Sequence, residues 1–171
     1  MTESFEQYRK RVLGYLGDRD PIRVQRSTPS RVERLVSGLS RRQLNQRPGP
    51  DRWSVAEIVA HMADAELAMG WRLRNMLATS GVRLQWFDEA AWAERFEYAS
   101  MDVGRSLGLF RCLRQRNLDL LHSVGRREWR SCYGVHELRG RQTVWDFVRM
   151  EAAHDLAHIR QIKGVLRNLA M

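Results

Sequence analysis

Residues 143–168 read TVWDFVRMEAAHDLAHIRQIKGVLRN, and this stretch decides the fold that the sequence predicts. Apolar residues recur in it at intervals of three and four, which is the spacing of one face of an α-helix. The apolar residues of this face are Val144, Phe147, Val148, Ile162 and Val165. His154 and His158 share the face. Because they are four residues apart, their imidazoles lie one above the other and can reach one metal ion.

An upstream segment predicts a third histidine for the same site. Ser54-Val55-Ala56-Glu57 is a capping box, in which two side chains satisfy free N–H groups at a helix N-terminus. The predicted helix runs to about residue 81, and its inward face follows the same spacing: Ile58, His61, Met62, Ala65 and Met69. An imidazole in the interior needs a hydrogen bond or a metal. We therefore predict a helical bundle that brings His61, His154 and His158 together.

The other segments also favour an all-α protein, and 171 residues fit one domain with a sizeable core. We predict helices over residues 2–17, from a Thr28 cap with Pro29 in the first turn, near 88–98 and over 102–124, with a loop over 125–142. Residues 1–27 form an N-terminal helical extension of a single domain, 1–171. We expect a core without a sheet of consequence that includes Ile58, Met62, Leu113, Leu121, Phe147 and Ile162.

The composition indicates a compartment and limits the partners. The sequence has no apolar run of membrane-spanning length and no signal-peptide pattern, so we expect a cytoplasmic protein without a membrane partner. Its two cysteines are too few for a disulfide framework. The net charge of +9 comes from 29 basic residues that are dispersed along the chain rather than clustered. Such a charge suits nucleic acid, an anionic membrane or an anionic small molecule. Because no nucleic-acid motif accompanies it, we expect a small-molecule substrate and no nucleic acid.

Three histidines would leave coordination positions open on a metal, which distinguishes a reactive site from a structural one. Such a metal lowers the pKa of a bound water, or binds a thiol as the nucleophilic thiolate. Imidazole ligands suit several divalent ions. We expect zinc or nickel, ahead of iron or manganese.

Glu151 is the candidate catalytic residue, because it lies one turn before His154 on nearly the same helix face. Its carboxylate can serve as an extra ligand, as a hydrogen-bond acceptor for a ligand histidine, or as a general base. The alternative is a surface ion pair with Arg149 or Arg160.

Three further features leave alternatives open. The aromatic residues over 86–98 either cover the side of the bundle or form a wall of the metal pocket. Asn117 lies in the core stripe of its helix, where it either satisfies the backbone or lines the pocket. His136 has no partner at ligand spacing but can border the pocket, and His122 has none either.

Two segments together resemble the DinB-like (YfiT-like) family. They read RWSVAEIVAHMADAE over residues 52–66 and HDLAHIRQI over 154–162. The tryptophan-serine helix start, the histidine of the second helix and the late histidine-x-x-x-histidine all match, and the resemblance covers about residues 28–165. Gly134-Val135-His136 also resembles the family's loop before the last helix, although Glu137 stands where the family often has proline.

The resemblance implies a four-helix bundle with a long crossover connection and a divalent metal held by His61, His154 and His158. Family members are often homodimers, so we expect one here. Members with an assigned activity include transferases and isomerases that use bacillithiol, mycothiol or glutathione. The resemblance therefore favours transfer of a low-molecular-weight thiol to an electrophile. The alternatives are a metal-dependent hydrolase and a non-catalytic, metal-stabilised bundle or binding module.

Overall fold

The computed structural model describes residues 4–169, which form eight α-helices and one small β-sheet. The four long helices are α2 (Pro21–Val36), α4 (Val55–Ala78), α6 (Val103–Ser123) and α8 (Val144–Leu169). The shorter helices are α1 (Phe5–Leu16), α3 (Arg41–Asn45), α5 (Glu89–Arg95) and α7 (Arg126–Ser131), with a 3₁₀ turn at Tyr98–Ser100. The strands are β1 (Val82–Leu84), β2 (Tyr133–His136) and β3 (Gly140–Thr143). None of these helices is long and apolar enough to span a membrane.

The four long helices pack as a bundle in which α2 and α4 each contact both α6 and α8. The chain crosses from α4 to α6 through residues 79–102, which contain β1, α5 and the 3₁₀ turn. α1 packs along α8. These features confirm the predicted all-α four-helix bundle with a long crossover connection and an additional N-terminal helix.

Local capping signals begin the two helices that carry the histidines. At α4, the Ser54 hydroxyl accepts the Glu57 N–H and the Glu57 carboxylate accepts the Ser54 N–H at 2.8 Å. At α8, the Asp146 carboxylate accepts the Thr143 N–H at 2.9 Å, and the Thr143 hydroxyl accepts the Asp146 N–H. Each pair satisfies N–H groups that have no partner inside the helix. The starts of both helices therefore confirm the prediction.

The second helix begins earlier than predicted. Thr28 does not cap it, because α2 begins at Pro21 with Asp20 as its cap and continues through Pro29. The Thr28 hydroxyl instead donates to the carbonyl of Val24, one turn back, at 2.9 Å. The expected end of the N-terminal extension at residue 27 therefore lies inside α2.

The segment over 125–142 is not a loop but contains α7, β2 and most of β3. β2 pairs parallel to β1 and antiparallel to β3, so the structure includes a three-stranded sheet that the prediction of no consequential sheet missed. Strands of three or four residues are too short to show a hydrophobic period. The absence of a side chain at Gly134 allows the close approach of β1, because a Cβ there would lie 2.5 Å from the Leu84 side chain.

Five of the six expected core residues are buried: Ile58, Met62, Leu121, Phe147 and Ile162. The prediction is wrong for Leu113, because its side chain is only half-buried. The next residue, Arg114, faces the interior and is 2% exposed. The buried face of α6 therefore includes an arginine, whereas the sequence analysis expected its apolar neighbour there.

Arg114 lies at the centre of a buried polar layer that connects all four long helices. Its guanidinium donates two hydrogen bonds to Asp155 of α8, at 2.5 and 3.0 Å, and bonds Glu66 of α4 at 2.9 Å. Asn117 donates to the other carboxylate oxygen of Glu66 at 2.7 Å. Arg114 also donates to the Gln25 carbonyl of α2 at 2.9 Å. The layer separates two apolar clusters of the bundle core.

The bond to Gln25 explains why a proline is tolerated inside α2. Pro29 has no N–H group, so the carbonyl four residues before it, that of Gln25, loses its helical hydrogen bond. A buried carbonyl without a donor is costly. Arg114 supplies that donor from the neighbouring helix.

Two glycines on adjacent helices give a test of the packing. A Cβ at Gly70 of α4 would lie 2.6 Å from the Asn117 amide oxygen, whereas one at Gly108 of α6 would meet nothing within 4 Å. We expect Gly70→Ala to lower the free energy of unfolding by about 1–3 kcal/mol through overpacking. Gly108→Ala should raise it by about 0.5–1 kcal/mol, since alanine favours the helix. Urea denaturation measures both, and equal effects would contradict this packing.

Candidate metal centre

The three predicted histidines meet in the bundle interior. His61 of α4 is 1% exposed, and its Nε2 lies 3.2 Å from Nε2 of His154 on α8. His158, one turn further along α8, places its own Nε2 2.9 Å from the same His154 atom. One ligand nitrogen from each residue lies within 4.8 Å of those of the other two. The predicted cluster is therefore present as a geometric group.

The two Nε2–Nε2 separations that involve His154 fit ligands of one shared metal. His154 Nε2 has two ring-nitrogen neighbours, but a neutral imidazole nitrogen is either one donor or one acceptor. With metal–nitrogen bonds of about 2.0–2.1 Å, two ligand nitrogens at angles of roughly 90–110° lie roughly 2.9–3.4 Å apart. The observed 2.9 and 3.2 Å lie within that interval. A donor set of three imidazoles is compatible with several divalent ions, among them zinc, nickel and iron, whereas manganese prefers oxygen ligands.

The environment keeps the three imidazoles in the neutral form that binds metals. Burial lowers the pKa of His158 to about 4. Burial also lowers the pKa of His61 and of His154 well below the ordinary value, and the neighbouring His158 adds to both shifts. At neutral pH all three therefore carry a free nitrogen lone pair for an ion.

Neighbouring side chains hold two of the rings in place. Nδ1 of His158 lies 2.9 Å from the Gln161 side-chain oxygen, so Nδ1 carries the proton and Nε2 is left free to bind a metal. The Trp53 ring packs against His61, with 4.9 Å between ring centroids. Nδ1 of His61 is buried and has no hydrogen-bond partner among the protein groups of residues 4–169. Packing orients His61, whereas a hydrogen bond orients His158.

A cavity of about 370 Å³ opens from the cluster and is lined by His61, His154 and Glu151. Burial, with smaller contributions from the charges of Glu66 and Asp155, raises the pKa of Glu151 to about 8. The expected alternative, an ion pair with Arg149 or Arg160, is absent from the described residues. Glu151 therefore faces the cavity beside a histidine of the cluster, in reach of a reacting group.

Four other polar residues of this cavity were not predicted from the sequence. They are Tyr8, Arg72, Glu89 and Arg139. Glu89 Oε2 lies 3.8 Å from His61 Nε2, so a carboxylate from the crossover borders the cluster. Tyr8 belongs to α1, which makes the N-terminal helix part of the site. For Arg72 the sequence contains one sign of a special role. The arginine interrupts the apolar face of α4 between Met69 and Leu73.

Trp86 and Phe87 of the aromatic crossover line the cavity. Of the two alternatives for this segment, the structure therefore favours a wall of the pocket. Asn117 is not among the lining residues and bonds Glu66 instead. His136 is 1% exposed and also lies outside the lining, while its Nδ1 accepts the Leu138 N–H at 3.1 Å. His122 is exposed on α6. The structure thus separates these three residues from the candidate metal centre.

Known proteins are similar to this chain in sequence, and one solved structure is similar to it in fold. A Geobacillus kaustophilus protein named "putative metal-dependent hydrolase" is 27% identical over 144 residues, covering 84% of this chain and 81% of that protein. A protein of Oceanobacillus iheyensis with the same name is 24% identical over 139 residues, covering 81% of this chain and 79% of that one. The solved structure of Bacillus subtilis YfiT, described as "a probable metal-dependent hydrolase with an unusual four-helix bundle topology", superposes with a TM-score of 0.82. It is 22% identical and covers 99% of this chain and 91% of that one.

The superposition with YfiT agrees with the helical bundle built up above from its packing. The model of the DinB superfamily matches residues 26–162, which include all three histidines of the cluster. This chain belongs to the DinB superfamily.

Proposed function

We propose that this protein is a divalent-metal-dependent enzyme, with His61, His154 and His158 as the metal ligands and Glu151 as the proton acceptor. The observation that carries the proposal is the convergence of three Nε2 atoms, from buried His61 and partly buried His154 and His158, beside a cavity that Glu151 also lines. The names of the relatives support the same class of enzyme.

Hydrolysis is the reaction that this arrangement favours. A divalent ion held by His61, His154 and His158 would supply Lewis acidity to the nucleophile and to the group under attack. Glu151 takes the proton of the nucleophile, and its environment suits this role because its raised pKa of about 8 lies near neutral pH. Water needs such a base more than a thiol does, since a thiol loses its proton near neutral pH more easily.

Thiol transfer to an electrophile is the second candidate, supported by the resemblance described above and by the open cavity. One experiment distinguishes the two. The protein is loaded in turn with zinc, nickel, manganese and iron, and each form is assayed for hydrolysis of 4-nitrophenyl acetate without thiol. The same forms are assayed for consumption of glutathione with 1-chloro-2,4-dinitrobenzene. Turnover in the first assay alone supports hydrolysis, turnover in the second alone supports transfer, and metal-independent rates in both contradict the proposal.

Changing Glu151 tests its role separately from metal binding. We expect Glu151→Gln to retain the metal and to lose about 10²–10⁴-fold in kcat, because the amide cannot accept the proton. Glu128→Gln, at an exposed position of α7, is the matched control and should leave kcat unchanged. Loss of metal from the Glu151 variant would make Glu151 a ligand rather than a base.

Gln161 gives a test of the metal site that does not depend on turnover. Its side-chain oxygen holds the Nδ1 proton of His158, so we expect Gln161→Leu to weaken metal affinity by about 10–100-fold. Competition with a chromogenic chelator measures the affinity. Gln115→Leu, which removes an exposed amide on α6, serves as control. Equal affinities of the two variants would show that the Gln161 contact does not orient the ligand.

The remaining expectations about partners belong to the same proposal. We expect a homodimer, which sedimentation velocity would measure, and a cytoplasmic location. We also expect a small-molecule substrate, because the cavity beside the histidines is lined by side chains of the crossover, α1, α4, the β2–β3 turn and α8. Neither nucleic acid nor a membrane is expected as a partner.

A further inference from the structure

Within residues 4–169 two arginines are buried, and of these two only Arg114 has a carboxylate of that part of the chain within ion-pair distance. Arg114 bonds both Asp155 and Glu66. Arg72 is 5% exposed, and no carboxylate of the described residues lies within ion-pair distance of it. A buried guanidinium without a counter-ion is strongly destabilised relative to one in water. Arg72 is therefore a buried cation without a carboxylate in direct contact among the described residues, and Glu151 acts on it only through the longer-range effect of its charge.

The contacts of Arg72 leave one edge of its guanidinium without a strong acceptor. Nε and Nη2 both donate to the backbone carbonyl of Gln85, with Nε at 3.2 Å. The nearest acceptor of Nη1 is the Met69 sulfur at 3.9 Å, and a thioether sulfur is a weak acceptor. The Gln85 bond anchors the crossover to α4 but does not neutralise the charge.

Arg72 lines the same cavity as the histidine cluster, and a second arginine lies with it. Arg139 projects from the turn between β2 and β3 into this cavity. Burial lowers the pKa of both guanidinium groups, and the charge of Arg139 adds to the shift at Arg72. Two cations that line one cavity can together stabilise an anion that binds between them.

The net charge of the cavity also favours an anionic ligand. Its charged side chains are two arginines and two carboxylates, Glu89 and Glu151, so they balance even when both acids are ionised. A divalent ion at the histidines then leaves the cavity positive. Trp86 and Phe87 add an aromatic wall for the uncharged part of a ligand.

We propose that Arg72 and Arg139 form a subsite for the anionic group, a carboxylate or a similar oxyanion, of the substrate that reacts at the histidine cluster. The reaction at the histidine cluster rests on the proposed function. The binding of an anion by Arg72 and Arg139 does not. Arg72 binds the anion through the Nη1 edge that faces away from Gln85. The substrate is then a small molecule with an anionic end at the arginines and its reacting group at the metal.

Calorimetry with two probes of equal length tests the subsite. The probes are 3-phenylpropionate and 3-phenyl-1-propanol, which differ in the charged group. Each is titrated into the metal-free and the zinc-loaded full-length protein. We expect the acid to bind about 10–100-fold more tightly than the alcohol in both forms, as a charge-assisted hydrogen bond to a buried arginine predicts. The metal-free form excludes binding of the carboxylate to zinc.

The variants Arg139→Gln and Arg72→Gln should each reduce this preference to a few-fold or less, while zinc stoichiometry is retained. Arg72→Lys is added because the glutamine variant also loses the Gln85 bond, and lysine should keep part of the preference. Arg141→Gln is the control, since Arg141 lies on the same hairpin but stacks on Tyr133 outside the cavity. Its preference should equal that of the wild type.

Several results would overturn the subsite. They are equal binding of acid and alcohol, no binding of the acid at millimolar concentration, or a preference that survives in both glutamine variants. A preference seen only with zinc would place the carboxylate on the metal instead. Failure of the protein to take up any metal would contradict the proposed function, but the metal-free titrations would still decide the anion subsite.

Discussion

His154→Ala is expected to reduce bound divalent metal from about one ion per chain to almost none. The Nε2 atom of His154 is the one that both other histidines approach, at 3.2 and 2.9 Å. Without it, only two protein ligands remain, His61 and His158. Structural and catalytic zinc sites in proteins use three or four protein ligands. Metal content after dialysis at micromolar concentration, measured by atomic emission, gives the result. We expect any metal-dependent turnover to disappear with the ion.

The alanine variant should still fold, because the buried ion network and the apolar clusters do not include His154. Far-UV circular dichroism checks this. His122→Ala, at an exposed position of α6, should keep both its metal and its helix content. If wild-type protein binds none of zinc, nickel, iron or manganese, the three histidines are only a buried cluster and the proposed function is wrong.

The parts of this site that were predictable from the sequence are those with local signals. Helical spacing places His154 and His158 on one face, and the capping box at Ser54 fixes the phase of the helix that carries His61. Such signals depend on residues within one or two turns of each other. They predicted the histidine cluster without information about which helices are neighbours.

The charged wall of the cavity could not be predicted in the same way. Glu89 and Arg139 come from the crossover and from the turn of a short hairpin, whose positions depend on contacts far away in the sequence. Tyr8 reaches the cavity only because α1 packs along α8. No spacing rule connects such segments. Their role follows from tertiary structure alone.

Two misassignments share one cause, the buried arginine of α6. Thr28-Pro29 resembles a helix start, but the proline is accommodated within α2 because Arg114 bonds the carbonyl that it leaves free. Leu113 appeared to be the core residue because an arginine at an inward position is unfavourable without partners. Both carboxylate partners lie on other helices. Two polar residues on the apolar face of α6, Arg114 and Asn117, were the signals of the network that the sequence offered.

The second large effect is expected from Arg114→Met. The methionine fills a similar volume, but it leaves Glu66 and Asp155 buried without their cation. Breaking a buried ion pair by removing one partner costs about 3–5 kcal/mol. The Gln25 carbonyl and one edge of Glu66 also lose donors. We expect urea denaturation at pH 7 to show a loss of this size in the free energy of unfolding.

An exposed ion pair between α6 and α2 provides the control. Arg111 bonds Glu33 at 2.7 Å, but both side chains are about half exposed, 53% and 52%. Arg111→Met should therefore change stability by only about 0–1 kcal/mol. Burial, rather than the number of ion pairs, accounts for the difference between the two variants.

The pH dependence of the Arg114 variant separates lost charge from lost packing. Burial already raises the pKa of Asp155, and removal of the opposing guanidinium raises it further. A raised carboxyl pKa means that the folded state binds more protons than the unfolded state, so the variant gains stability as pH falls toward the unfolded value of about 3.9. We expect Arg114→Met to lie closer to wild type at pH 5 than at pH 8, and Asp155→Asn added to it to recover part of the loss at pH 8. A deficit that is equal at both pH values, and unchanged by the second substitution, would show that Arg114 stabilises the bundle by its volume and not by its charge.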